Sequence, residues 1–312
     1  MIRVGRPTRH LRKSGLVLPL AVLVCLYVAC ACLARAASVE LPPINAAPTG
    51  EHHVGKVIWT DLVTPDLAAA ERFYGGMFGW TFQPVHGGTG EYAVAIAGGL
   101  PVGGLFQKAQ PAGERRQSAW LAFIAVSDLE GAKRTARAHG AKILQDTRNY
   151  PARGRQAVLA DPEGAVFALL ASSSGDPPDY LAEPGEWIWS SLLCRDPGTE
   201  AAFYQTVFGY DVFDLASDDQ REHIILSSDA LARASANSLP GDAAAARAHW
   251  LSFVRVDSAA DSAAKATALG GRVLVEPHVG RHGGQVAVIA DPLGAALGVM
   301  EWSQAQAEAA PQ

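Results

Sequence analysis

The chain repeats itself at a fixed distance. Ile58-Trp59 recurs as Ile188-Trp189, Phe73-Tyr74 as Phe203-Tyr204, and Phe78-Gly79 as Phe208-Gly209. Trp120-Leu121 with Phe123 recurs as Trp250-Leu251 with Phe253, and Ala160-Asp161-Pro162 with Gly164 as Ala290-Asp291-Pro292 with Gly294; every pair is 130 residues apart. A constant offset between landmarks this widely spread means a duplication without net insertion, so the two copies must share one fold. They cover residues 54–172 and 185–303. Residues 173–184 join them and carry the turn-forming Asp176-Pro177-Pro178, and residues 304–312 form a tail.

Each copy divides again. Val54 to Val63 is a short apolar run bounded by turn residues and is expected to be a strand. Asp66 is placed to cap a helix in which Leu67, Ala70, Phe73, Tyr74, Met77 and Phe78 recur at helical spacing, until Gly79 ends it. In the second copy Asp196-Pro197 is the same start signal, with proline at the first helical position. Strands are expected at 80–84, 92–96 and 102–107. The second half repeats the order: a strand over 120–126, a helix opened by the capping box Ser127-x-x-Glu130 and closed by Gly140, then strands near 142–144, 155–159 and 166–170. The unit is strand, helix, three strands, and the chain holds four of them.

These paired modules resemble the glyoxalase, bleomycin-resistance and extradiol-dioxygenase (vicinal oxygen chelate) superfamily. The Asp-led helix ending in Phe-Tyr-x-x-x-Phe-Gly and the late Ala-Asp-Pro-x-Gly turn carry the likeness, over nearly all of 54–172 and 185–303. The layout is most similar to tandem two-domain glyoxalase-like proteins. The resemblance implies an α+β fold of two tandem domains, each built from two βαβββ modules that form an open curved sheet around a pocket.

It also implies a divalent metal in that pocket, held by a His on the first strand, a His on the first strand of the second module and a Glu on the last strand. Counting from the landmarks, those positions are Trp59, Trp120 and Ala168 in the first copy and Trp189, Trp250 and Gly298 in the second. Indole, methyl and hydrogen offer a metal no lone pair, so no metal or other cofactor is expected at the family's site. The four tryptophans are candidates to line two cups with broad apolar faces, although the same indoles would serve as core where a metal is missing. Asp61, Tyr92, His223 and His249 are candidate polar contacts, with Arg153, Arg155, His278 and Arg281 as further charged groups near the cups. His278-x3-His282 falls in a Gly-rich loop and is read as loop histidines.

The first 36 residues stand apart. Arg3, Arg6, Arg9, Arg12 and Lys13 precede an uncharged run from Leu16 to Leu33 and a small-x-small end, Ala34-Arg35-Ala36. That is an export signal, an uncleaved membrane anchor, or a lipid-modified Cys30; each places the body across the inner membrane, as a periplasmic, secreted or anchored protein. Residues 37–53 read as a tether, with His52-His53 an exposed pair. Outside residues 1–36 there are 20 basic and 31 acidic residues, a balance of −11, which argues against nucleic acid and confines membrane contact to the N-terminal segment. Only Cys194 lies in the body, so each copy is held by its core without disulfides, and that thiol is expected to be buried and inert. The expected function is binding or sequestering a small apolar or aromatic molecule. A lyase or dioxygenase with relocated ligands and a periplasmic interaction module are the alternatives, and a homodimer stays open.

Overall fold

A computed structural model describes residues 40–85, 91–110, 116–215, 222–239, 247–281 and 283–302. The export segment, the tail from 303 and His282 lie outside the described residues. Among the described residues no helix is long and apolar enough to cross a membrane.

The first copy runs β1 (Val57–Thr64), α1 (Leu67–Phe78), β2 (Thr81–Val85), β3 (Tyr92–Ala97), β4 (Leu100–Gln107), β5 (Ala119–Ala125), α2 (Leu129–Ala138), β6 (Lys142–Tyr150), β7 (Gly154–Ala160) and β8 (Val166–Ser172). The second copy runs β9 (Trp187–Cys194), α3 (Pro197–Phe208), β10 (Asp211–Asp214), β11 (His223–Ser228), β12 (Leu231–Ser238), β13 (His249–Val256), α4 (Ala259–Ala268), β14 (Arg272–Val279), β15 (Gln285–Ala290) and β16 (Ala296–Glu301). Each copy is one eight-stranded sheet, ordered β2-β3-β4-β1-β5-β8-β7-β6 and β10-β11-β12-β9-β13-β16-β15-β14. The two modules meet where β1 pairs antiparallel with β5 and β9 with β13. The fold is the α+β, two-domain architecture the repeat implied.

The helix ends follow from single side chains. Asp66 accepts from the Ala69 amide and Asp196 from the Thr199 amide, while Gly79 and Gly209 adopt left-handed φ of 72° and 75° to stop α1 and α3. The second helix departs from the expected box: Asp128, not Ser127, caps it, accepting from the Gly131 amide. Its Glu130 is turned outward to Lys133, Thr147 and Arg155. Asp128 wins because a carboxylate bonds the orphan amides of a helix start more strongly than a hydroxyl does.

Each core is shared between the copies. One holds Ile124, Leu129, Phe167 and Leu169 from the second module of the first copy, with Leu192, Phe203, Tyr204, Phe208 and Trp250 from the second copy. The other pairs Leu62, Phe73, Tyr74, Met77 and Trp80 with Val254, Ala259, Ile289, Leu297 and Val299. Hydrogen bonds cross in matched pairs. The Tyr204 hydroxyl donates to Asp161 (3.0 Å) and accepts from Trp250 Nε1 (2.8 Å), while the Tyr74 hydroxyl donates to Asp291 (3.4 Å) and accepts from Trp120 Nε1 (3.0 Å). Trp80 Nε1 donates to the Gly185 carbonyl (2.7 Å), and its counterpart Tyr210 donates to the Gly55 carbonyl. Cys194 is buried in the first of these cores, and burial with nearby carboxylates pushes its thiol pKa up.

One element breaks the match. Glu200 on α3 is fully buried against Asp161, where the first copy has Ala70. Burial and the neighbouring carboxylate raise Glu200 to about 8. The folded state therefore binds more protons than the unfolded state above the ordinary carboxyl range. Stability should fall as pH rises from about 4.5 towards about 8 and then level off. Chemical denaturation of Glu200→Gln should show that slope flattened and the variant the more stable near pH 8. Tyr204→Phe should cost about 1–3 kcal/mol in the same measurement, because Asp161 and Trp250 each lose a buried partner.

Candidate binding sites in the two cups

Strand alternation turns one face of each sheet to the shared cores and the other to a concave cup. In the first copy Trp59, Asp61, Tyr92, Phe123, Ala168 and Leu170 point into the cup. Trp120 does not. It lies one residue out of phase with Leu121 and Phe123, so it sits on the helix side against Tyr74, Trp80 and Trp187. Trp250 is likewise on the helix side, against Tyr204. The candidate cup lining is corrected for both: each is an interface residue, and the cup positions on that strand belong to Leu121 and Phe123, and to Leu251 and Phe253.

The first cup is closed. Trp59 Nε1 (2.7 Å) and the Tyr92 hydroxyl (2.8 Å) both donate to Asp61 Oδ1, and Arg153 Nη2 donates to the Tyr92 hydroxyl (3.1 Å). The Arg153 guanidinium lies over the Trp59 ring at 4.5 Å, a cation–π contact, and the residue is 0% exposed. Burial raises the Asp61 carboxyl pKa; Arg153 and the two hydrogen bonds oppose it. Gly104 makes room for this cluster, since a Cβ there would run into Asp61 and the Tyr92 hydroxyl. Residues 40–53 are packed in place, with Leu41 and Ile44 buried in the cup and Arg153 Nε donating to the Pro42 carbonyl at 2.6 Å. His53 is half-buried between Glu51, Asp179 and Asp229, and His52 is exposed.

The second cup is built from different residues on the same scaffold. The pairing of β11 with β12, and of β12 with β9, puts His223 where the first copy has Tyr92 and Ser235 where it has Gly104. Ser191 replaces Asp61. Trp189 Nε1 donates to Ser235 Oγ (3.2 Å), Ser191 Oγ shares a hydrogen bond with it (2.9 Å), and Asn237 Nδ2 donates to it (2.9 Å). His223 Nδ1 meets Asn237 Oδ1 at 2.9 Å. Around this cluster Trp189, Ile225, Phe253 and Val288 are half-buried. A Cβ on Gly298 would strike the Phe253 ring, so that glycine is what lets the ring lie across the last strand.

The other candidates fall elsewhere. His249 Nδ1 donates to the Arg247 carbonyl at the start of β13, His278 Nδ1 donates to the Glu276 carbonyl, and Arg155 pairs with Glu130 at the surface. Arg281 is exposed. Two cup residues, Gln156 and Asn237, carried no sequence signal, and only strand register could have found them.

A glyoxalase-like domain family matches this chain twice, over residues 58–170 and 189–300. The chain belongs to the glyoxalase-like family. Among curated glyoxalase-like relatives, a putative glyoxylase, CFP32, from Mycobacterium tuberculosis is 31% identical over 80% of this chain and 96% of that one. The anthracycline biosynthesis protein DauV from Streptomyces sp. strain C5 is 29% identical over 82% and 96%. Among solved structures, the Mn(II)-bound glyoxalase from Novosphingobium aromaticivorans superposes with a TM-score of 0.54 at 16% identity, covering 80% of this chain and 82% of that one. The 2,3-dioxygenase LapB from Pseudomonas sp. KL28 gives 0.55 at 14%, covering 81% and 93%. At these identities the solved structures speak for the fold alone.

Gly104→Ala should lower stability by about 1–3 kcal/mol in urea unfolding, because the added methyl must displace the Asp61–Tyr92 pair.

Proposed function

We propose that this exported glyoxalase-like protein binds a small, flat, apolar molecule without a metal, and that the second cup is its binding site. The observation that carries the reading is the half-buried wall of Trp189, Ile225, Phe253 and Val288 around the Ser191–Ser235–Asn237 cluster. Apolar walls with a few convergent polar groups are the usual make-up of a small-molecule site. Trp189 supplies the broad face, and the hydroxyls and amide below it set orientation.

The residues present do not fit the metal that the superfamily implies. With Trp120 and Trp250 on the helix side, the cup-facing residues paired with Trp59 and Trp189 are Phe123 and Phe253, so the second cup offers Trp189, Phe253 and Gly298 at the three ligand positions. The first offers Trp59, Phe123 and Ala168, and its one carboxylate, Asp61, is already taken up by Trp59 and Tyr92 beside a buried guanidinium that would repel a cation. We therefore derive no metal-dependent step. The names of two relatives, from Streptomyces sp. strain C5 and Streptomyces peucetius, refer to anthracycline biosynthesis. The basic start and apolar run of residues 1–36 support export.

Titration with neutral bicyclic aromatics should quench tryptophan fluorescence, and Trp189→Ala or Phe253→Ala should weaken binding by roughly tenfold each. Elemental analysis after dialysis against Fe, Mn, Ni and Zn should find no tightly held metal. Stoichiometric metal, or quenching unchanged by both substitutions, would overturn the reading.

A further inference from the structure

We infer that Leu41, Pro42 and Ile44 are a built-in occupant of the first cup, and that when they leave, the cup takes an apolar molecule presenting a neutral carbonyl oxygen to Arg153. This rests on the reading that the cups bind small molecules, and extends it to the cup that is shut.

The strap fills the cup as a ligand would. Leu41 and Ile44, 6% and 1% exposed, lie in one cluster with Ile58, Trp59, Tyr92, Val94 and Phe123. Between them the Pro42 carbonyl accepts from Arg153 Nε at 2.6 Å. Apolar groups flanking a single acceptor on a fixed cation describe a small ketone or ester as well as they describe a peptide. Pro42 and Pro43 have no N–H, so this stretch cannot stitch itself to a sheet edge by donating there. Apart from that one bond to Arg153, the polar ties lie further along: Asn45 Nδ2 to the Gly175 carbonyl (2.8 Å), the Thr49 amide to the Ser174 carbonyl (3.0 Å) and Thr49 Oγ1 to the Asp176 carbonyl (2.7 Å). Residues 41–44 can therefore lift while 45–53 stay bound.

The strap is also an incomplete occupant. Arg153 Nη1 and Gln156 Oε1, on residues 0% and 6% exposed, have no hydrogen-bond partner among the described residues. Unpaired buried donors and acceptors are costly, and a ligand with a second polar group would satisfy what the strap leaves open. The duplicate domain serves as a control. By the 130-residue repeat Gly283 stands in the place of Arg153, by the pairing of β7 with β8 and β15 with β16 Val286 stands in the place of Gln156, and that cup's walls are half-buried. The strap occupies the copy that carries the guanidinium.

Charge balance selects a neutral ligand. Asp61 and Arg153 face each other through the Tyr92 hydroxyl and balance one to one. A carboxylate ligand would add a second buried negative charge against a single positive one.

The test uses the full chain and two matched probes, 2-acetylnaphthalene and 2-naphthoate. In a Trp189→Ala background, Leu41→Asp with Ile44→Asp should tighten binding of 2-acetylnaphthalene by roughly tenfold or more, and adding Arg153→Leu should abolish the gain. In the unaltered chain, where no variant has to fold, the ketone at saturation should speed amide hydrogen exchange at Leu41 and Ile44. Unchanged affinity on strap release, or unchanged exchange at these amides, overturns the inference; equal or tighter binding of 2-naphthoate overturns the choice of a neutral carbonyl. Quenching of Trp189 without any effect of strap release would sink this inference and leave the second-cup reading standing, and the reverse pattern would do the opposite.

Discussion

The two copies are held together by bonds that each makes to the other. Tyr204 reaches Asp161 as Tyr74 reaches Asp291, and Tyr210 reaches Gly55 as Trp80 reaches Gly185. Neither sheet could bury its helix-side face alone. The helices over it come partly from its duplicate, with Ile124 and Phe167 packed on Phe203 and Phe208, and Phe73 and Met77 packed on residues of the second copy. Because the helix side of each sheet is spent on this exchange, the concave sides are left as the surfaces able to differ.

That division explains which sequence features were legible and which were not. The repeated Phe-Tyr, Phe-Gly and Ala-Asp-Pro-x-Gly landmarks stand out because they belong to the reciprocal interface, where a change in one copy must be answered in the other. They carried the fold class and the element order to within a few residues. The same strength misled the reading of the cups. Trp120 and Trp250 recur at the repeat distance because the interface needs them, as donors to Tyr74 and Tyr204, and recurrence alone cannot tell an interface side chain from a pocket one. One step of strand phase decides it, and both sides of β5 and β13 are apolar, so no hydrophobic alternation marks the phase. The tether reading of residues 37–53 met a similar limit. Proline-rich, aperiodic sequence carries no sign that Leu41 and Ile44 will find a cup of matching shape.

The cups show what duplication permits once the scaffold is fixed. In the first, a glycine at position 104 admits a carboxylate and a phenol, and a guanidinium balances the charge. In the second, serine at 235 fills the place of that glycine, the carboxylate has shrunk to Ser191, the phenol is His223, and the arginine is Gly283. These changes form a coupled set, because a side chain at the glycine position is incompatible with the Asp–Tyr pair and a lone Asp or Arg in that interior would be an uncompensated charge. The tryptophan indole donates in both cups and has only exchanged its acceptor, Asp61 for Ser235.

The consequence for function follows from burial more than from residue type. The first cup holds a buried Asp61–Arg153 pair with unpaired Arg153 and Gln156 atoms, whereas the same positions of the second hold Ser191, Gly283 and Val286. Any occupant of the first must displace two buried apolar side chains and replace a carbonyl on Arg153, whereas the second presents a half-buried indole and phenyl wall. The repeat gave the chain two sheet faces of one origin, and the segment ahead of the first strand packs Leu41 and Ile44 against one of them.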